Sequence, residues 1–175
     1  KRTSQSNRYV HQVFSSLGAL VPEGVILSSE FKDENTSPEA SITWHPSPDQ
    51  TLYGAFKTGY KSGGIGTPAV ITPANTADNL KFGSEKVAGG EIGYKARLFD
   101  RRLTVELIAY YYKIKGLQLA SFDADSASYY IQNAADAKQR GVEGSATFQV
   151  TPEFSLRGSF GFNRLNYGLF DTAAC

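Results

Sequence analysis

Three groupings in this 175-residue chain carry side chains of the kind that do chemistry. Asp123 and Asp125 stand in "FDADSASYY", where paired carboxylates could serve hydrolysis or hold calcium. His11 and His45 are the two imidazoles, and "GGIGTP" at 63–68 has the glycines of a phosphate-cradling loop. Each has a plainer reading. No oxygen-ligand loop of the required spacing follows the aspartates, so they read as a solvated loop. The histidines lie far apart without carboxylate or cysteine companions at ligand spacing, and His45 beside Pro46 reads as a turn or interface residue. No helical pattern follows "GGIGTP", so its glycines read as loop freedom. Cys175 is the single cysteine, which excludes a disulfide or a cysteine metal cluster within these residues. The expectation is a chain that is not an enzyme, with no catalytic residue, metal or cofactor.

The remaining charged residues of interest are Glu91, Lys95, Arg97, Arg140, Glu143 and Arg157. They fall on the polar side of runs that alternate. In "EIGYKARL" Ile92, Tyr94, Ala96 and Leu98 oppose Glu91, Lys95 and Arg97, and in "EASITW" Ala40, Ile42 and Trp44 oppose Glu39, Ser41 and Thr43. "GVEGSATFQV" and "SLRGSFGFN" repeat the pattern, which is the period of a strand with one apolar face. Residues 103–109 continue it less cleanly. Residues 8–21 suit either two strands about a Pro-Glu-Gly turn or one helical face, and strands are the favoured reading.

Connectors of two kinds separate these runs. "PSPDQ", "DRR" and "TPE" are short and carry turn residues, whereas residues 62–84 and about 120–135 read as long loops. Structureless loops of that length are uncommon in a plain soluble domain. Alternating short turns and long loops, strands of roughly ten residues and aromatics near strand ends predict an all-β, antiparallel up-and-down transmembrane β-barrel. The charged set would then line the lumen. Tyr60, Lys61, Phe122, Tyr129 and Tyr130, at loops or strand ends, are the candidate ligand contacts, because rigid aromatics on loops bind at low entropic cost.

Bulk composition agrees. Aromatics (11 Phe, 10 Tyr) and 17 Gly favour strands over helices. Eighteen basic against 17 acidic residues leave a net charge of +1 with no dense basic block, so nucleic acid is not an expected partner. No run approaches the 18 apolar residues of a membrane helix, which leaves a barrel open.

The strings "LYGAFKTGYKSGG", "FGSEKVAGGEIGYKARLFDRRLTVELIAYYYKIKGLQ" and "NAADAKQRGVEGSATFQVTPEFSLRGSFGF" resemble the barrel of TonB-dependent outer-membrane receptors. The corresponding positions are Tyr53 with residues 59–64, Glu85 or Glu91 with residues 93–95, and residues 133–143. The resemblance implies about eight strands of a barrel of roughly 22, its lumen plugged, with plug domain and barrel C-terminus outside residues 1–175. It further implies a Gram-negative outer-membrane location in contact with lipid. The implied activity is uptake of an iron–siderophore complex or similar small ligand, energised by a TonB-type inner-membrane protein. A passive porin-like or adhesin barrel and a soluble β-sandwich binding module are the competing readings.

Overall fold

A computed structural model describes residues 2–10, 26–66, 78, 80–123 and 128–168. Ten strands stand among them: β1 (Arg2–Val10), β2 (Ile26–Glu34), β3 (Glu39–Ser47), β4 (Gln50–Lys61), β5 (Gly64–Ile65), β6 (Lys81–Phe82), β7 (Glu85–Leu98), β8 (Leu103–Asp123), β9 (Ser128–Gln149) and β10 (Ser155–Tyr167). β1 and β2 form a hairpin, β5 and β6 a two-residue ribbon, and the others one antiparallel sheet in the order β10-β9-β8-β7-β4-β3. Each strand of the large sheet pairs with its neighbour in the chain, with the ribbon inserted between β4 and β7. This is the up-and-down arrangement that the alternation predicts, and its six strands together with β1 and β2 make the eight long strands expected. Of residues 8–21, only 8–10 are described, as the end of β1; the rest of that question lies outside the described residues.

The short connectors gather at one end of the sheet and tie together there. Asp49 lies in the β3–β4 turn, and its carboxylate accepts from Arg101 Nε at 2.8 Å while its carbonyl accepts from Arg97 N at 2.9 Å. Arg102 donates through Nε to the Gln149 carbonyl at 3.1 Å and through Nη2 to the Val150 carbonyl, and its guanidinium lies 5.4 Å from the Phe148 ring centroid. Phe99, Asp100 and Arg101 hold φ values of 54°, 52° and 66°. Left-handed backbone costs a non-glycine residue about 1–2 kcal/mol, so the arginine clamps offset a strained turn. "DRR" is therefore the fastening of three adjacent turns as well as a tight connector.

The expected second loop is a correction. Residues 120–135 are mostly strand: β8 runs 21 residues and β9 22, leaving only 124–127 between them outside the described structure. At about 3.3 Å per residue such strands reach roughly 70 Å, whereas a tilted strand crosses a bilayer in about 9–11 residues. The polar residues on either side of 124–127 continue the ladder. The first long connector also has more order than expected, because β5 and β6 pair within it.

Among the described residues buried side chains are few, and apart from Ile65 and Leu80 about the ribbon and Gln118 they are alanines. Ala96, Ala134, Ala135 and Ala137 are buried, and among the described residues no large side chain is fully enclosed. A single curved layer cannot bury both its faces against itself, so apolar groups must meet something outside the described chain.

Candidate functional site

Directly opposed residues of an antiparallel pair share a face, so the strand registers sort every side chain of the sheet. Starting at Ile92, the register passes through Gly54 to Ile42 on one side and through Ala109 and Val142 to Phe162 on the other. This face is apolar and outward: Ile42 is 75% exposed, Phe162 65% and Ile92 57%. So much exposed apolar surface on one side marks contact with something other than water.

The opposite face is polar and paired. Lys57 Nζ donates to Glu91 Oε1 at 2.8 Å, and Tyr112 Oη donates to the other carboxylate oxygen at 3.1 Å. Lys95 Nζ lies 2.7 Å from Glu106 Oε1, directly across the hairpin, and Tyr110 Oη donates to Glu143 Oε1 at 3.3 Å. Arg97 and Arg157 join the same face through Thr104 and Thr147. Five of the six charges read from the sequence thus share a face. Arg140 is the correction: it stands opposite Tyr111 and Arg164, on the side of Val142 and Phe148, because it lies three positions, an odd step, before Glu143. Lys57 and Glu106 were missed. Glu106 was recoverable by counting back from the "DRR" turn, but the partnership of Lys57 with Glu91 spans a long connector and leaves no local signal.

Tyrosines on this face lie over glycines. Gly93 is opposite Tyr53, whose ring occupies the space a Cβ at position 93 would need, and Tyr112 stands in the same relation to Gly89. Glycine is required there by close approach rather than by φ.

Above this region the loop candidates separate into two groups. The rings of Phe122 and Tyr129 lie 5.1 Å apart, and Tyr129 and Tyr130 help line a cleft of about 470 Å³ with residues 63–66 and Phe82. Tyr60 and Lys61 are elsewhere, opposite Lys86 and Glu85 at the top of β4. Two residues outside the candidate contacts build the platform. Gln118 is buried, donating Nε2 to the carbonyls of Ser62 at 2.9 Å and Gly83 at 3.0 Å, while its own amide donates to Glu85 Oε2 at 2.9 Å. Asn133 Oδ1 accepts from Gly83 N at 2.6 Å, and its Nδ2 donates to the carbonyls of Gly83 and Gly116. Together they fasten the connector from β4 to β7 onto β8 and β9.

In "GGIGTP", Gly66 N donates to the Leu80 carbonyl at 2.7 Å, and Gly64 and Ile65 pair with β6, so those backbone groups are committed to the ribbon. His45 Nδ1 lies 3.1 Å from Thr51 Oγ1. His11, Asp125 and Cys175 lie outside the described residues, as does the side chain of Asp123. Among the described residues no three His, Cys, Asp or Glu side chains converge.

The sheet is thus a two-faced antiparallel meander with short turns at one end and long strands at the other. The family model for the TonB dependent receptor-like β-barrel matches residues 6–174. The chain belongs to the TonB-dependent receptor β-barrel family. Solved structures with the same fold include the ferric yersiniabactin uptake receptor FyuA from Yersinia pestis, at TM-score 0.67 and 21% identity over 83% of this chain and 21% of that one. The copper transporter OprC follows at TM-score 0.59 and 16% identity, covering 82% of this chain and 22% of that one. The FrpB iron transporter from Neisseria meningitidis has TM-score 0.55 and 15% identity, covering 82% and 21%. This TonB-dependent receptor chain therefore spans about a fifth of the length of the solved receptors it matches. No curated protein sequence matches it.

Proposed function

We propose that this chain is part of the barrel of an outer-membrane receptor that takes up a scarce nutrient, most often an iron–siderophore complex, with energy supplied by a TonB-type inner-membrane protein. The observation that carries the reading is the division of one sheet into an exposed apolar face and a face of paired charges, topped by strands far longer than a bilayer requires. The apolar face meets lipid. Glu91, Lys95, Arg97, Glu143 and Arg157 line the lumen, where paired charges hold a plug and present polar footing to a passing solute. Phe122, Tyr129 and Tyr130 offer aromatic surface to ligand at the outer mouth, with Tyr60 and Lys61 one strand away. No covalent step is needed.

Fold neighbours that carry iron and copper support a metal-complex ligand without choosing among them. The test is uptake of radiolabelled ferric siderophores by iron-starved cells carrying or lacking the full-length parent gene, with and without the TonB-type partner. Uptake that needs both is the expected result. Accumulation that persists without the energising partner would indicate a passive pore, and recovery of the parent from the soluble fraction would sink the barrel reading.

A further inference from the structure

On the polar face, the last row before the short turns carries two cations and no acid. Arg97 stands opposite Thr104, Thr104 opposite Thr147 and Thr147 opposite Arg157, so one line across β7, β8, β9 and β10 reads Arg-Thr-Thr-Arg. The two arginine Cα atoms are three strand spacings apart, about 14 Å. The inner side of a barrel is concave, so side chains converge there, and an arginine stem is long enough for both guanidiniums to approach above the two threonine hydroxyls.

Neither arginine is spent on the described chain. Among the described residues neither guanidinium lies within ion-pairing distance of a carboxylate, whereas Lys57 and Lys95 higher on the same face are both paired. Two acids of the neighbourhood are committed elsewhere: Asp49 accepts from Arg101 Nε at 2.8 Å, and Glu106, one row above, lies 2.7 Å from Lys95 Nζ. Arg97, Thr104 and Arg157 are exposed. In the row above, Ser145 and Ser159 stand opposite each other, and with Glu106, Glu143 and Gly161 they line a surface cleft of about 490 Å³. Two forked cations, four hydroxyls and a space for a solute therefore adjoin at the turn end of the face.

We propose that this row binds a polycarboxylate solute, with one carboxylate on each arginine and the body of the solute in the cleft above. A guanidinium holds a carboxylate through two parallel hydrogen bonds. Two such forks separated by threonines suit two carboxylates carried on one short chain. A monocarboxylate or a single phosphate satisfies one fork and leaves the other without an anion. The hydroxyls of Thr104 and Thr147 lie between the forks, where they can donate to the same oxygens. The inference deepens the transport reading and rests on it, because only in a barrel does this face enclose a path. It adds a stop near the turn end of the lumen for a metal complex whose donors are carboxylates.

The test is binding of isotope-labelled citrate to the full-length parent, extracted from outer membranes in detergent, followed by broadening of the citrate resonances. The Arg97→Gln/Arg157→Gln variant should bind citrate at least tenfold more weakly, while Arg140→Gln, on the opposite face, binds as the parent does. Acetate and inorganic phosphate should each need at least tenfold higher concentration than unlabelled citrate to displace the label. The parent's binding should also weaken as salt rises. A parent that binds no citrate, an unaffected double variant, or displacement by phosphate as effective as by citrate would each overturn the proposal. Should the double variant fail to fold, the parent's preference for citrate over acetate and phosphate decides. Heat-modifiable gel migration separates the two readings: a parent that never migrates as a folded barrel removes both, and a folded parent that takes up a metal complex but binds no citrate removes this one alone.

Discussion

Between the short turns and Gly116, β7 and β8 pair residue for residue, from Leu98 with Leu103 to Lys86 with Lys115. At Gly116 and just past it, β8 and β9 shift register twice in quick succession, between Ile114 and Leu117 and between Leu117 and Gln118. The lower region is held by its ladder and, from β4 to β10, by faces that never exchange; its one register shift lies between Trp44 and Ser47 beside the β3–β4 turn. The upper region is held by side chains that take over the ladder's work: Asp136 receives the Gly116 amide, Glu85 receives the Gln118 amide, and Asn133 donates to the Gly116 carbonyl. The difference follows from solvent. Within a bilayer a one-residue slip would turn every charge of a strand toward lipid and leave backbone groups without partners, so mid-strand bulges are disfavoured there. Beyond the headgroups water tolerates both, and the strands become free to bend over a loop.

The largest effect should come from violating the lower region's rule. Ile92→Arg, mid-strand on the apolar face, is expected to cost about 2–4 kcal/mol and to lower the amount of parent protein assembled in the outer membrane. A quantitative blot of folded and unfolded species checks it, and normal assembly would mean that this face does not meet lipid. Next, Gly93→Val drives a side chain into the Tyr53 ring and should destabilise by about 1–3 kcal/mol, read as a lower urea midpoint at unchanged slope. Adding Tyr53→Ala to Gly93→Val should restore part of the loss, because the two residues share one space.

The same contrast explains what could be read from the sequence. Alternation in "EIGYKARL" and "GVEGSATFQV" reveals faces and pairing because lipid on one side forces strict period two, and the hairpin at "DRR" fixes the register of Lys95 on Glu106. Arg140 defeated the reading because it follows the apolar run of β9 just past the band, where the outward face turns cationic; polarity alone assigned it to the wrong side. Residues 120–135 defeated it because extended strands in water need no apolar face, so their composition looks like that of a loop. Gln118 and Asn133 act through backbone carbonyls of a segment far away in the chain, and no local pattern announces such contacts.

A smaller, local effect is expected in the upper region. Gln118→Ala removes two hydrogen bonds to the Ser62 and Gly83 carbonyls, each worth about 0.5–1.5 kcal/mol, and should loosen the ribbon without altering assembly. Hydrogen exchange should quicken at Ile65 and residues 80–83 while the amides of β7 near Ile92 keep their protection. Loss of protection in both places would mean that the two regions unfold as one unit and that the boundary at Gly116 has no energetic meaning.

The smallest effect tests what covers the polar face. In Lys95–Glu106 the side chains are 53% and 39% exposed, and in Lys57–Glu91 they are 38% and 18% exposed with Tyr112 as a further partner. Exposed ion pairs typically couple by about 0.2–1 kcal/mol and fade with salt. A double-mutant cycle on Lys95→Gln and Glu106→Gln in the full-length parent should fall in that range if water fills the space beside β7 and β8, with the Lys57–Glu91 cycle giving the larger value. A Lys95–Glu106 coupling well above about 1 kcal/mol that ignores salt would instead mean that another part of the parent lies over this face and has displaced the water. The cycle therefore reads whether the polar face is an open channel wall or a covered one, using two residues that the hairpin register alone brings together.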